Sequence, residues 1–237
     1  MIRTIVNPQS SIRNSKGTVF LLDDEPRMLK ALTRLLTAEG FKVRGFTSVR
    51  TFLETHRAEE PGCLVLDVSM PELDGLELQR QLTHTGVLLP IVFLTGHGDI
   101  PMSVRAIKAG AVDFLTKPVN DEDLLRAVWA ALQRATEQRE RAAETATFVE
   151  RLSQLTPRER EVMEHVVAGR LNKQIASDLG AGEQTIKVHR GRVMEKMGVS
   201  SLADLVRAAE KLGVGKPLPG GQGSHIGQPR PPNVHRV

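Results

Sequence analysis

The chain has 237 residues, 40% hydrophobic and 25% charged, a length and balance that suit one large globular domain or two small ones. No apolar run reaches the roughly 18 residues of a membrane span, the first 16 residues hold no apolar signal core, and the single Cys63 excludes an intrachain disulfide framework and a multi-cysteine metal cage, so a cytoplasmic protein with no membrane partner is expected. Residues 1–150 carry 18 Lys+Arg against 20 Asp+Glu, residues 151–213 carry 11 against 8, and residues 214–237 carry 3 against none.

An acidic part suited to metal or phosphate chemistry thus precedes a basic part suited to an anionic polymer. With 3% aromatic residues and no tyrosine, a stacking platform for single strands is disfavoured, and docking in a duplex groove is the better expectation.

After a polar extension over 1–16, expected to be disordered, apolar runs predict strands at 18–22, 41–46, 63–68, 91–95 and 111–116. Amphipathic stretches at 27–39, 49–56, 75–82, 101–109 and 121–134 predict the helices between and after them. Gly40 and Gly110 fall where helix ends need a left-handed residue. The alternation implies an α/β doubly wound parallel five-stranded domain over 17–135. The Arg/Glu/Ala/Gln-rich stretch 136–151 loses its apolar stripe and reads as a helical linker.

An all-α four-helix unit then spans 152–213. Thr156-Pro157-Arg158-Glu159 spells a capping box with proline at the first helical position. Glycines at 169, 180, 198 and 213 mark the helix ends, and Ala181-Gly182 separates a short helix at 173–179 from a longer one ending at Met197. A short helix, a glycine turn and a longer helix form a helix-turn-helix, whose second helix enters the major groove. The Gly/Pro-rich tail 214–237 lacks periodicity and is expected to be disordered.

In a doubly wound sheet, ligands bind beyond the carboxyl ends of the strands. Asp23-Asp24 follows the first strand, Asp67 ends the third, Thr95 ends the fourth, and Lys117-Pro118 follows the fifth. One aspartate at a strand end often only caps the next helix. Three carboxylates in one crevice repel each other and call for a cation, and an all-oxygen donor set points to Mg²⁺. A carboxylate, a divalent metal, a hydroxyl and a lysine make a phosphoryl-acceptor constellation.

These residues, together with Val19 to Glu25, Leu64 to Pro71, Asp74-Gly75 and Thr95-Gly96, resemble the receiver domain of two-component response regulators. The resemblance implies that Asp67 accepts a phosphoryl group from a sensor histidine kinase. It implies Mg²⁺ held by Asp24, Asp67 and the backbone carbonyl of Ser69, with Asp23 acting through a bound water. It places Thr95 and Lys117 on the phosphoryl oxygens and Phe114 at the aromatic switch position. The bond before Pro118 is commonly cis in that family, and Ser69 and His97 stand where relatives vary the phosphoryl lifetime.

Leu155 to Glu159, Asn172 to Ala176, Thr185 to Arg190 and Met194 to Val199 resemble the LuxR/NarL-type tetrahelical DNA-binding domain, so that the whole chain resembles the FixJ-type regulators. Carried over by position, Lys187, Val188 and Gly191 face base edges, while Lys173, Thr185, His189 and Arg190 contact or orient phosphates. Gly182 stands where many relatives have a capping serine. Gly191 offers no side chain at a base-facing position, and a small residue there lets the backbone sit close.

The expectation is a transcription regulator that dimerises on phosphorylation, binds double-stranded promoter DNA and has RNA polymerase as a further partner. It is expected to act on its own phosphoryl group only, not as an enzyme with an external product. Two rivals stay open. A phosphohydrolase of the haloacid-dehalogenase type needs Asp-x-Asp at the nucleophile, where this chain has Asp67-Val68-Ser69. A helical unit that binds protein would show a weaker salt dependence than one that binds DNA.

Overall fold

The computed structural model describes residues 17–57, 60–71, 73–96 and 100–214. The predicted N-terminal extension, His97 and all of the predicted tail except Val214 lie outside the described residues. The elements are β1 (Thr18–Leu22), α1 (Pro26–Ala38), β2 (Lys42–Phe46), α2 (Val49–Thr55), β3 (Gly62–Asp67), α3 (Gly75–His84), β4 (Ile91–Thr95), α4 (Ile100–Lys108), β5 (Asp113–Thr116), α5 (Asp121–Ser153), α6 (Pro157–Val167), α7 (Asn172–Asp178), α8 (Glu183–Met197) and α9 (Leu202–Leu212). The chain divides into two compact units between Ala143 and Glu144, within the stretch read as linker.

The first unit is a five-stranded parallel sheet of order β2-β1-β3-β4-β5. β1, β3 and β4 are buried along their whole length, which is why they read as unbroken apolar runs rather than alternating ones. The pleat sends successive side chains to opposite faces. Phe20, Leu22, Leu64, Leu66 and Phe93 pack with Phe52 of α2 and Leu78 of α3. Val19, Leu21, Val65, Val92 and Leu94 pack with Leu32 and Leu36 of α1 and with Leu124 and Val128 of α5. β1 and β3 pair closely because Gly62 opens β3: a Cβ there would stand 2.1 Å from the Thr18 carbonyl oxygen.

Two strands start later than their apolar runs. The Phe41 N–H bonds the Leu36 carbonyl and the Ala111 N–H bonds the Ala106 carbonyl, so both residues close the preceding helix while burying their side chains. α5 runs on unbroken to Ser153, because 121–153 contains neither glycine nor proline and is rich in strong helix formers.

In the second unit α6 opens on the predicted capping box, with Thr156 and Glu159 bonding each other's backbone. α7 and α8 flank the turn at Gly180, whose φ is +60°. Ile186, Val193 and Met197 of α8 are buried with Val162, Met163, Ile175 and Leu205, leaving the opposite face of α8 exposed.

Candidate functional site

The order β2-β1-β3 puts the switch point between β1 and β3, where the chain leaves β1 to opposite sides. Asp23 and Asp67 stand at the carboxyl ends of these two strands, both buried, and Asp24 beside them is exposed. One carboxylate oxygen from each lies within 4.8 Å of the others. Lys117 bridges the buried pair, its Nζ donating to Asp23 Oδ2 and Asp67 Oδ2 at 2.7 Å each. The free oxygen of each acid takes a backbone donor: Glu25 N–H to Asp23 Oδ1 at 2.8 Å and Ser69 N–H to Asp67 Oδ1 at 3.1 Å.

Burial alone would lower the Lys117 pKa. The hydrogen bonds and charges of Asp23 and Asp67 outweigh it and hold the ammonium above its ordinary value. Its backbone is held as well, the Lys117 N–H bonding the Thr95 carbonyl at 2.7 Å; the Lys117–Pro118 peptide is cis. Asp67 pairs in register with Leu94, so the fully buried Thr95 stands one residue further along the neighbouring strand. Phe114 is half-buried on β5, 6.1 Å from Phe93 between ring centroids.

Three carboxylates against one ammonium leave two negative charges in the crevice, and every donor is a hard oxygen. That set fits a divalent cation, which Asp23, Asp24 and Asp67 could hold.

In the second unit Lys173 on α7 and Thr185, Lys187, Val188 and Gly191 on α8 are exposed. His189 and Arg190 are half-buried instead. Arg190 turns back to donate to Asn172 Oδ1 at 3.3 Å, tying the start of α7 to α8, and His189 Nδ1 is buried with no hydrogen-bond partner among the described residues. Arg192, outside the predicted set, is exposed on α8 one turn from Val188 and is in no ion pair among the described residues. Its i, i+4 spacing from Val188 is the signal that would have found it.

Residues 19–129 match the response regulator receiver domain, and residues 153–209 match the bacterial regulatory proteins of the luxR family. The response regulator TodT of Pseudomonas putida is 48% identical over 196 residues, 83% of this chain and 86% of its own. The transcriptional regulatory protein FixJ of Bradyrhizobium diazoefficiens is 40% identical over 200 residues, 84% of this chain and 98% of its own. This chain belongs to the FixJ-type two-component response regulators. Among solved structures the regulator resembles response regulator StyR, with 47% identity, a TM-score of 0.70 and coverage of 83% of this chain and 99% of that one. Full-length FixJ from B. japonicum gives 40% identity, a TM-score of 0.51 and coverage of 84% and 98%. The regulator therefore joins a receiver to a LuxR-type helix-turn-helix domain, as in relatives that are transcriptional response regulators. Among the described residues no helix is long and apolar enough to cross a membrane.

Proposed function

We propose that Asp67 accepts a phosphoryl group from the phosphohistidine of a cognate sensor kinase, and that the phosphorylated protein dimerises and binds promoter DNA in the cytoplasm. The bridging of Asp23 and Asp67 by Lys117 at 2.7 Å carries the first part. A carboxylate oxygen of Asp67 attacks phosphorus, the P–N bond breaks, and the imidazole leaves with its electron pair. Lys117 then trades its bond to Asp67 for one to a phosphoryl oxygen, keeping an ammonium beside the added charge. The Thr95 hydroxyl serves a second phosphoryl oxygen. Asp23, Asp24, Asp67 and the Ser69 carbonyl would hold Mg²⁺, which would supply further positive charge beside the transferring group. Hydrolysis of its own acyl phosphate is the only other reaction assigned to the protein.

Dimerisation is supported by α4, where Ile100, Val104 and Ile107 recur at i, i+4 and i+7 and are 79%, 43% and 46% exposed. Such a stripe is costly to leave in water, and a second copy of the chain covers it. Phe114 repacking towards Phe93 is the step that links the phosphoryl group to the α4 and β5 surface. The dimer presents two α8 helices to half-sites about 10 bp apart, with Lys187, Val188 and Gly191 at the bases and Lys173, Thr185, His189 and Arg190 on the phosphate side. RNA polymerase is the partner downstream of that complex.

Selection of genomic fragments at about 150 mM salt, near physiological ionic strength, tests the whole reading, with acetyl-phosphate-treated wild type beside Asp67→Asn. A two-fold symmetric site enriched by the wild type alone is the expected result. Equal enrichment by both overturns the phosphoryl switch, and enrichment by neither overturns DNA as the target.

A further inference from the structure

Among the described residues nothing requires a glycine at position 191. It is the ninth of the 15 residues of α8, and it is exposed and absent from the glycines of positive φ. Among the described residues, a Cβ built there meets no atom within 4 Å. Other glycines have visible reasons: Gly62 and Gly75 pack against the Thr18 and Asp67 carbonyls, and Gly180 and Gly198 are left-handed. In a helix interior, glycine in place of alanine lowers the folding equilibrium constant about fivefold. Neither backbone conformation nor contact among the described residues accounts for glycine at 191.

Lys187 and Val188 precede Gly191 by one turn, at i−4 and i−3, and both are exposed. Helical spacing sets Val188 and Lys187 beside the place where a side chain at 191 would stand. With α8 in the major groove, the small apolar group that projects from the groove floor is the thymine C5-methyl.

We propose that Gly191 and Val188 form a seat for a thymine methyl of the operator, letting α8 approach the base pairs more closely than a helix with a side chain at 191. Gly191 is then a specificity-determining position that reads an A·T pair by shape. This rests on the reading of α8 as the recognition helix, and its failure is separable from the failure of that reading.

The test uses the full-length phosphorylated protein, as wild type and Gly191→Ala. The probes are the operator from the fragment selection, the same duplex with each thymine of one half-site replaced singly by deoxyuridine, and a random duplex. Wild type is expected to lose about fourfold in affinity at one deoxyuridine position, the worth of one buried methyl-sized group. Gly191→Ala is expected to bind the operator about tenfold more weakly, within the usual range for one lost base contact. It should bind random DNA as wild type does and ignore the deoxyuridine at that position. Its second unit should melt about 4–8 °C higher, so weaker binding cannot come from unfolding.

Unchanged operator affinity in Gly191→Ala overturns the proposal, as does an equal loss on operator and random DNA. So does a half-site in which no thymine methyl matters. If the wild type selects no sequence at all, DNA recognition itself fails, and that result appears before any variant is made.

Discussion

Replacing Glu159 with glutamine removes one charge and keeps the shape of the side chain. Glu159 is 3% exposed, and its Oε2 accepts from Lys196 Nζ at 2.7 Å and from the Thr156 N–H at 2.9 Å. Led by the Lys196 hydrogen bond and then the Thr156 N–H, these contacts overcome burial and lower its pKa from 4.5 to about 2. At about 1.4 kcal/mol per pH unit that gap has a ceiling of about 3.5 kcal/mol. The Lys196 side chain is 34% exposed. Water therefore screens the pair, and about 1–2 kcal/mol is expected to remain. A carboxylate with a depressed pKa stabilises fully above its unfolded value, here 4.5, and that contribution is lost as pH falls towards 2.

Urea unfolding of the full chain followed by far-UV circular dichroism should show the second unit of Glu159→Gln weakened by about 1–2 kcal/mol at neutral pH. The gap to wild type should narrow below pH 4.5. The one tryptophan, Trp129, packs on Phe41 in the first unit, and its fluorescence transition should not move. Equal stability at neutral pH, or a gap of constant size down to about pH 3, would refute the reasoning.

Gly62→Ala forces a Cβ to 2.1 Å from the Thr18 oxygen and 2.7 Å from the Phe20 ring, so the first unit should lose about 3 kcal/mol or more, read from the Trp129 transition; a loss below about 1 kcal/mol contradicts the close β1–β3 pairing. Mg²⁺ at a hundred times its dissociation constant should stabilise the first unit by about 2.7 kcal/mol, and Asp24→Asn should remove most of that gain; a thermal shift identical in both proteins counts against the carboxylate site. Val104→Glu puts a charge into the exposed α4 stripe, so the variant should accept phosphoryl groups normally yet sediment as a monomer after acetyl phosphate treatment; phosphorylation-dependent dimers of this variant would exclude the stripe as the interface.

The strands were legible because a parallel sheet covered on both faces must be apolar at every position, and the acids announce themselves by following those runs directly. Apolar runs report burial rather than pairing, which is why Phe41 and Ala111 read as strand although they close helices. The length of α5 was partly hidden for the opposite reason: its apolar stripe ends while its helix-forming residues continue. Long-range side-chain contacts leave no local pattern. The bridge from Lys117 to both aspartates, the inward turn of Arg190 to Asn172, and the Gln79 amide reaching the Ala106 and Ala109 carbonyls all appeared only in three dimensions.

The Lys117 bridge also has a bearing on biosynthesis. It joins residues separated by 94 and 50 positions, so the proposed acceptor site is complete only after the fifth strand has left the ribosome and closed the sheet. A nascent chain, or a fragment ending before residue 117, presents two acids without their ammonium. On the proposed role of Asp67, such fragments would lack a complete acceptor site, whereas a chain that has closed the sheet would hold one before its second unit is made.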